Sequence, residues 1–293
     1  MRTLSAACVL MLTLIWAGSV HAQSADPVLV GAGDIVQCDQ HEFDSSQATA
    51  NLLDSIPGTI FAVGDLVYPD PSGDYFAKCW APTWGRFRDR MIPTAGNHEY
   101  NMPGAPEYYS YFGPTAVDPQ KGYYSFNLGT WHVVVLNAEC SQIGGCTATS
   151  SEGMWLQSDL AANPVACTLA LWHEPLYTSY PGGPTTSVQP FWQILYNAGA
   201  DLVINGHIHN YERFAPQDPN GNLDLTRGIR EIIVGTGGEY TGCGTASPVA
   251  NSQKLICDTN GVIKLTLHPT SYDWQLIPIA GETATDSGTT SCH

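Results

Sequence analysis

The segment Asp201–Arg213 reads DLVINGHIHNYER. Its apolar run, Leu202 to Ile204, stops at Asn205-Gly206, and His207 and His209 follow with one residue between them. A short apolar run closed by glycine predicts a buried strand that delivers its next residues to a rim. Neutral imidazoles bind transition metals, and two of them one residue apart can reach one cation or two adjacent ones. A lone H-x-H pair is more often two surface histidines, so its meaning depends on what the rest of the chain brings beside it.

Four other apolar runs end in the same way. Val28–Val30 leads to Gly33-Asp34, Thr59–Val63 to Gly64-Asp65, Met91–Ala95 to Gly96-Asn97-His98-Glu99, and Cys167–Trp172 to His173. In an open α/β sheet, sites form in the crevice beyond the carboxyl ends of the strands. Donor side chains far apart in sequence would therefore meet at one rim. Packing alone explains five such endings poorly, because an unpaired carboxylate or imidazole at a buried rim carries a heavy desolvation cost.

The elements that position these endings alternate between strand and helix. Asp44–Ile56 reads as a helix with Asp44 or Ser45 as N-cap and a Pro57-Gly58 stop, which completes a β-α-β unit between the first two strands. Ser187–Ala198, closed by Gly199, feeds the strand of the opening segment and gives a second such unit. Glu152–Ala162 also reads as helix, as does the looser Pro69–Met91 region with Trp80 and Trp84, while Trp131–Leu136 reads as a strand. Glu231–Val234, Val262–Leu267 and Tyr272–Ile277 alternate like strands. His132 and His268 read as structural, and Gly235–Gly238 as a turn, since neither a Lys nor a helix follows it. The aromatics Tyr108, Tyr109, Tyr111 and Phe112 of the Tyr100–Tyr124 stretch either wall a substrate pocket or pack in the core, the more frequent case.

Met1–Ala22 has the pattern of a secretory leader: Arg2, an apolar Ala6–Ala17 stretch and a small-x-small site at Val20-His21-Ala22. Removal after Ala22 leaves one domain, residues 23–293, expected to be secreted or periplasmic and not held in a membrane. Beyond Cys8 there are eight cysteines, an even count that suggests up to four disulfides, with Cys140–Cys146 and Cys243–Cys257 the local pairs expected first. With 27 acidic residues against 11 basic ones, the chain carries no electrostatic footprint for nucleic acid or an anionic membrane. The sequence leaves the oligomeric state open.

Taken in order, these blocks resemble the calcineurin-like metallophosphoesterases. The family pattern of an Asp motif, GD, GNH[D/E], H and GHxH is met at Asp34, Gly64-Asp65, Gly96–Glu99, His173 and Gly206–His209. More narrowly the chain looks like the purple acid phosphatase branch, through Gly64-Asp65-Leu66-Val67-Tyr68 and Tyr211-Glu212-Arg213. It is closer there to small bacterial exported members than to the larger plant type, which has an additional N-terminal domain. The resemblance spans about Val28–Gly238. It implies an α/β fold, a two-sheet β-sandwich flanked by helices, and two metal ions: Fe(III) with Fe(II), Zn(II) or Mn(II).

Carried over residue by residue, the resemblance makes Asp65 the bridge. Asp34, Tyr68 and His209 complete the first site, and Asn97, His173 and His207 the second. His98 then faces the substrate without binding metal. The implied reaction is hydrolysis of small-molecule phosphate monoesters by a metal-bound hydroxide. The same pair of cations would also support phosphodiester hydrolysis, and a catalytically inactive exported scaffold is the reading from another class.

Two departures bear on this. Val36 stands where the Asp34 motif carries His or Gly, which makes Tyr68 more necessary to the first site. Purple acid phosphatases also carry further substrate-side histidines after the block equivalent to His173, whereas Glu174, Tyr177 and Tyr180 stand here. His41, in the loop after Cys38, is the candidate substitute on the substrate side. Arg213 either touches a phosphate or, the better reading, braces the strand end by pairing with a carboxylate.

Overall fold

Thirteen of the strands build two sheets. In chain order the elements are β1 (Val28–Ala32), β2 (Val36–Gln37), α1 (Phe43–Ser55), β3 (Thr59–Val63), β4 (Val67–Tyr68), α2 (Gly73–Tyr75), β5 (Met91–Thr94), α3 (Pro106–Phe112), β6 (Tyr124–Leu128) and β7 (Trp131–Val135). There follow α4 (Ser151–Ala162), β8 (Cys167–Leu171), α5 (Gln189–Ala198), β9 (Leu202–Asn205), β10 (Tyr211–Phe214), β11 (Arg230–Val234), β12 (Ser252–Ile256), β13 (Gly261–His268), β14 (Ser271–Pro278) and β15 (Ser287–Ser291). The computed structural model describes residues 26–38, 43–69, 72–113 and 121–293. The leader, its cleavage site and His41 lie outside them.

One sheet has the order β15-β14-β13-β1-β3-β5 and the other β12-β10-β11-β9-β8-β7-β6. The pairs β1–β3, β3–β5, β7–β8, β8–β9 and β9–β11 are parallel; antiparallel strands close the other edges, while β5 ends the first sheet parallel to β3. Successive side chains of a strand point to opposite faces. Leu169 and Leu171 of β8, with Leu202 and Ile204 of β9, join Phe61 and Val63 of the first sheet in the main core. Ala170 and Val203 point the other way, under Phe191, Trp192 and Leu195 of α5. A strand buried on both faces needs a continuous apolar run, and this is why these segments were readable.

Local signals held with small shifts. Helix α1 begins at Phe43, so neither Asp44 nor Ser45 caps it. Gly199 ends α5 in the left-handed conformation (φ 77°), which a glycine adopts without penalty. The Trp80–Trp84 region is not regular α-helix: after α2 it is a π turn over Phe76–Trp80 and a 3₁₀ helix over Trp84–Arg90. Tyr108, Tyr109 and Phe112 are buried, so these α3 aromatics belong to the core and do not wall a pocket. His132 is buried against Asp159 (2.7 Å) and Asn127 (2.9 Å), a packing role. His268 has partners that its sequence setting did not suggest, Asp26 (2.6 Å) and Asp273 (3.1 Å).

Both local disulfides form, and two long-range ones, Cys38–Cys79 and Cys167–Cys292, use the remaining cysteines. Cys167–Cys292 ties the last strand region to β8, and Asp201 reinforces it by accepting from the backbone N–H groups of Thr168 (2.9 Å) and His293 (3.0 Å). Cys167, Cys292 and Asp201 lie close enough to hold a metal, but both sulfurs are used in the bridge. Because it closes a separation of 125 residues, this cross-link restricts the unfolded chain strongly. The double replacement Cys167→Ser/Cys292→Ser is expected to cost about 2–5 kcal/mol and lower Tm by roughly 5–15 °C in a thermal melt. An unchanged Tm would show that the bridge does not cross-link the folded protein.

Candidate metal centre

Strand ends from both sheets deliver the candidate ligands. β1 and β3 of the first sheet lead to Asp34 and Asp65, and β5 to Asn97 and His98; β8 and β9 of the second lead to His173, His207 and His209. The loops after β1 and β3 are zipped together, Asp34 N–H donating to Gly64 O (3.1 Å) and Ile35 N–H to Asp65 O (3.0 Å). Gly206 N–H donates to His173 O (3.0 Å) and fastens the other two. Asp34, Asp65 and His207 have φ of 58°, 50° and 68°. Left-handed backbone is uncommon outside glycine, and residues held there concentrate at functional sites. Three of them in one cluster set the directions of three donors.

Glycine is required where these loops close on each other. A Cβ at Gly96 would strike the Asp65 carboxylate, and one at Gly206 would lie 2.7 Å from Asp34 Oδ2. The apolar runs end in Gly-Asp, Gly-Asn and Gly-His because a side chain at the glycine would occupy the site.

The donor atoms fall into two groups that share Asp65. In the first, the Tyr68 hydroxyl lies 2.8 Å from Asp34 Oδ1, 3.0 Å from Asp65 Oδ2 and 3.2 Å from His209 Nε2, and His209 Nε2 is 3.3 Å from Asp34 Oδ1. In the second, Asp65, His173 and His207 each offer one atom, all within 4.8 Å of one another. His173 Nε2 is 3.2 Å from Asp65 Oδ2, and His207 Nδ1 is 2.8 Å from Asn97 Oδ1. His98 stands beside the groups: its ring packs on Tyr68 at 4.3 Å and its Nε2 is 3.9 Å from Asp65 Oδ2.

Hydrogen bonds fix which ring nitrogens face inward. A carbonyl only accepts, so His173 Nδ1 donates to Val63 O (2.8 Å), His209 Nδ1 to Tyr240 O (3.1 Å) and His98 Nδ1 to Pro69 O (3.0 Å). Each ring therefore turns Nε2 toward the centre; a carbonyl on the far nitrogen orients His173 and His209 in the way that fixes metal-binding histidines.

These residues fit a pair of cations. Ligand bonds of about 2.0–2.2 Å hold neighbouring donors about 3.0–3.5 Å apart. The contacts from Asp34, Asp65, Tyr68, His173 and His209 run from 2.8 to 3.3 Å. His173 Nε2 is fully buried without a well-aligned hydrogen-bond partner, although Asp65 is near. Tyr68 has one proton for two carboxylates and an imidazole. A cation in each group satisfies all of them.

Electrostatics follow from the same crowding. Burial alone pulls His173 down, but the Asp65 and Asp34 charges outweigh it and hold the imidazole well above its ordinary value. Burial likewise opposes Asp34 at His209, and the carboxylate wins, raising it to about 9. His207, buried and beside His173, falls to about 4. Burial would raise Asp65, yet the His173 charge and hydrogen bond bring it below the usual carboxylate range. Tyr68 is pushed well above 10 by burial and then by the two carboxylates.

The sequence pattern quoted Glu99 without giving it work. It is fully buried and accepts from three backbone N–H groups, those of Asp65 (3.0 Å), Leu66 (2.9 Å) and Gly96 (2.7 Å). Burial, and then the Asp65 charge, push its carboxyl up to about 8. Glu99 thereby joins the Asp65 loop to the Asn97 loop. Of the three residues standing in place of substrate-side histidines, Glu174 is buried and Tyr177 packs on Trp192, while Tyr180 lines a cavity beside His207 and His209. Arg213 pairs with Asp286 (2.6 Å) over Trp274, a bracing role. Gly235–Gly238 is a turn, with Gly237 N–H donating to Gly33 O (2.9 Å).

Known proteins resemble the chain in sequence and in fold. Purple acid phosphatase 15 of Arabidopsis thaliana is 27% identical over 233 residues, 67% of this chain and 43% of that protein. The chain thus spans about half the length, or less, of the first curated relatives it matches. Purple acid phosphatase PPD1 of yellow lupin (Lupinus luteus) seeds shares the fold with a TM-score of 0.70 at 19% identity, over 92% of this chain and 54% of that one. GAP50, described as the anchor in the inner membrane complex of Plasmodium, has a TM-score of 0.69 at 12% identity, over 92% and 90%. The profile of the family described as Calcineurin-like phosphoesterase matches residues 28–211, and by that match the chain belongs to this family.

Proposed function

We propose that this protein is an exported phosphatase that hydrolyses phosphate monoesters of small molecules at a two-metal centre bridged by Asp65. The observation that carries the reading is the pair of donor groups meeting at one carboxylate, with His173 Nε2 buried and aimed between them. Asp34, Tyr68 and His209 would hold one cation, Asn97, His173 and His207 the other. A phenolate from Tyr68 suits a hard trivalent iron, and the mixed oxygen and nitrogen set of the second group suits Fe(II), Zn(II) or Mn(II). Bound there, two cations supply Lewis acidity to the phosphoryl oxygens and lower the pKa of water. Four disulfides support an oxidising compartment. Among the described residues no helix is long and apolar enough to cross a membrane.

The protein's own groups handle orientation and the proton. Asp65 keeps both oxygens occupied, Oδ1 by the His98 N–H (2.8 Å) and Oδ2 toward Tyr68 and His173. His98, anchored through Nδ1, presents Nε2 on the solvent side of Asp65, where in its protonated form it donates to a departing alkoxide. Asn97 contributes an amide oxygen beside His207 and adds no charge to the centre.

Measurements of metal content, turnover, colour and stability test the reading. Asp65→Asn is expected to lose stoichiometric metal by elemental analysis and to reduce kcat/KM on a chromogenic monoester by about 10³-fold or more; retention of full turnover would sink the two-metal centre. In the wild type the monoester should be preferred to a chromogenic diester, and a visible Tyr68-to-iron absorption band should vanish in Tyr68→Phe. Glu99→Gln, which turns an NH2 donor onto at least one of the three N–H groups, should weaken metal binding by about 10–100-fold. Protons and metal compete for these ligands. In the metal-free protein, His209 is raised to about 9 from an ordinary 6.5, so its stabilisation is complete below pH 6.5 and lost as pH rises through 9. The metal-free Tm should therefore fall between these values, and His209→Asn should remove part of the fall. A metal-free Tm that rises with pH would contradict the assignment.

A further inference from the structure

Beside the centre lies a cavity of about 370 Å³, lined by His207 and His209 together with Tyr180, Ile208, Tyr240 and the backbone of Gly242. Its two tyrosines are unusual for large aromatic residues. Tyr240 is 69% exposed and Tyr180 40%. Their backbones are nonetheless pinned. Tyr240 O accepts from His209 Nδ1 (3.1 Å), Gly242 N–H donates to His209 O (2.8 Å), and Glu239 N–H donates to Asp34 O (3.0 Å). Cys243–Cys257 closes the same loop. On the other side Ser179, next to Tyr180, is held through its N–H by Glu212 (2.9 Å). Two ligand residues of the proposed centre thus fix the backbone that carries an aromatic ring that solvent still reaches. An amphipathic ring held out on a fixed backbone is preorganised for contact, because little ordering remains to be done when a partner arrives.

The charge around the cavity narrows what that partner is. Among the described residues no Lys or Arg lines it, and the chain as a whole carries a net charge of -16. A substrate with several phosphates, or with carboxylates on its leaving group, would find no counter-charge beyond the centre itself. Beyond the two tyrosine hydroxyls and the two candidate ligand histidines, the described lining offers a polyol no side-chain donor. From these observations, and resting on the phosphatase reading above, we infer that Tyr180 and Tyr240 select monophosphate esters whose leaving group is an uncharged, planar aromatic ring. The rings stack on the leaving group while its phosphate occupies the centre.

Binding of non-hydrolysable phosphonates to the metal-loaded protein, followed by titration calorimetry, separates the ring from the phosphate. Wild type is expected to bind phenylphosphonate about 10-fold more tightly than methylphosphonate. Tyr240→Ala should bring that ratio to within about two-fold, Tyr180→Ala should lower it less, and Tyr240→Phe should keep it. Inorganic phosphate should bind equally to all four proteins, and their melting temperatures should agree, since both side chains are exposed. In turnover, KM for phenyl phosphate should rise in Tyr240→Ala with kcat little changed, and KM for glycerol 2-phosphate should stay put. If phosphate binds and esters turn over, but the phenyl-to-methyl ratio is near one in wild type or survives Tyr240→Ala, the tyrosine inference alone is overturned. If inorganic phosphate does not bind and no ester is hydrolysed, the phosphatase reading fails and takes this inference with it.

Discussion

A carboxylate at 2% exposure is the constraint around which this structure is arranged. An anion taken out of water must be compensated, or it takes up a proton. Asp65 is compensated on every side: the His98 N–H on one oxygen, Tyr68 and His173 on the other, and Glu99 holding its main chain from behind. Its left-handed backbone is tolerated because the Ile35 N–H and Glu99 grip its loop on both sides of the turn. Move this one side chain and the two donor groups lose their common member.

The two-sheet architecture follows from the same demand. One sheet supplies the carboxylate-bearing loops after β1 and β3 and the other the imidazoles after β8 and β9, so opposite ligand chemistries face each other across the seam of the sandwich. Parallel central strands make this possible, because they place all their carboxyl ends on one edge. The fold alone does not decide the activity: it is shared with a purple acid phosphatase and with a protein described as a membrane-complex anchor. What points to hydrolysis is the complement of candidate donors, present in this chain at every position of the family pattern except the one held by Val36.

How much of this could be read in the sequence depended on how local the cause was. The strand ends were legible because a strand buried on both faces must be apolar throughout, and because glycine marks the close approach that follows. Cys140–Cys146 and Cys243–Cys257, six and 14 residues apart, could be guessed from proximity, whereas Cys38–Cys79 and Cys167–Cys292 join segments that only the tertiary fold makes neighbours. The start of α1 slipped by one residue because Asp44 and Ser45 are both plausible caps and the helix uses neither. Glu99 was visible as a letter in a motif, but its task is to accept from backbone groups 33 and 34 residues away, and backbone donors leave no mark in a sequence. Tyr240 could not be singled out at all, since its significance comes from the tie between its carbonyl and His209. The aromatic stretch around α3 was the opposite case, eye-catching in sequence and buried in the fold.

The proposed action on phosphate esters presents a strongly acidic chain with an electrostatic problem of its own. Charges farther off than about 8 Å are largely screened at physiological ionic strength, so the local balance decides whether a phosphate is attracted. Among the described residues the arginines are occupied elsewhere, Arg86 with Asp54, Arg90 with the backbone after α1, Arg213 with Asp286 and Arg230 with Phe214 O. Recognition of the phosphate then falls to the proposed cations: a trivalent and a divalent ion against two carboxylates and one phenolate leave a net positive centre. Asn97 keeps that balance, because an aspartate in its place would remove one unit of it. Positive charge concentrated at a single point holds one phosphoryl group and nothing beyond it, and this division of labour leaves the rest of the substrate to be recognised by uncharged walls.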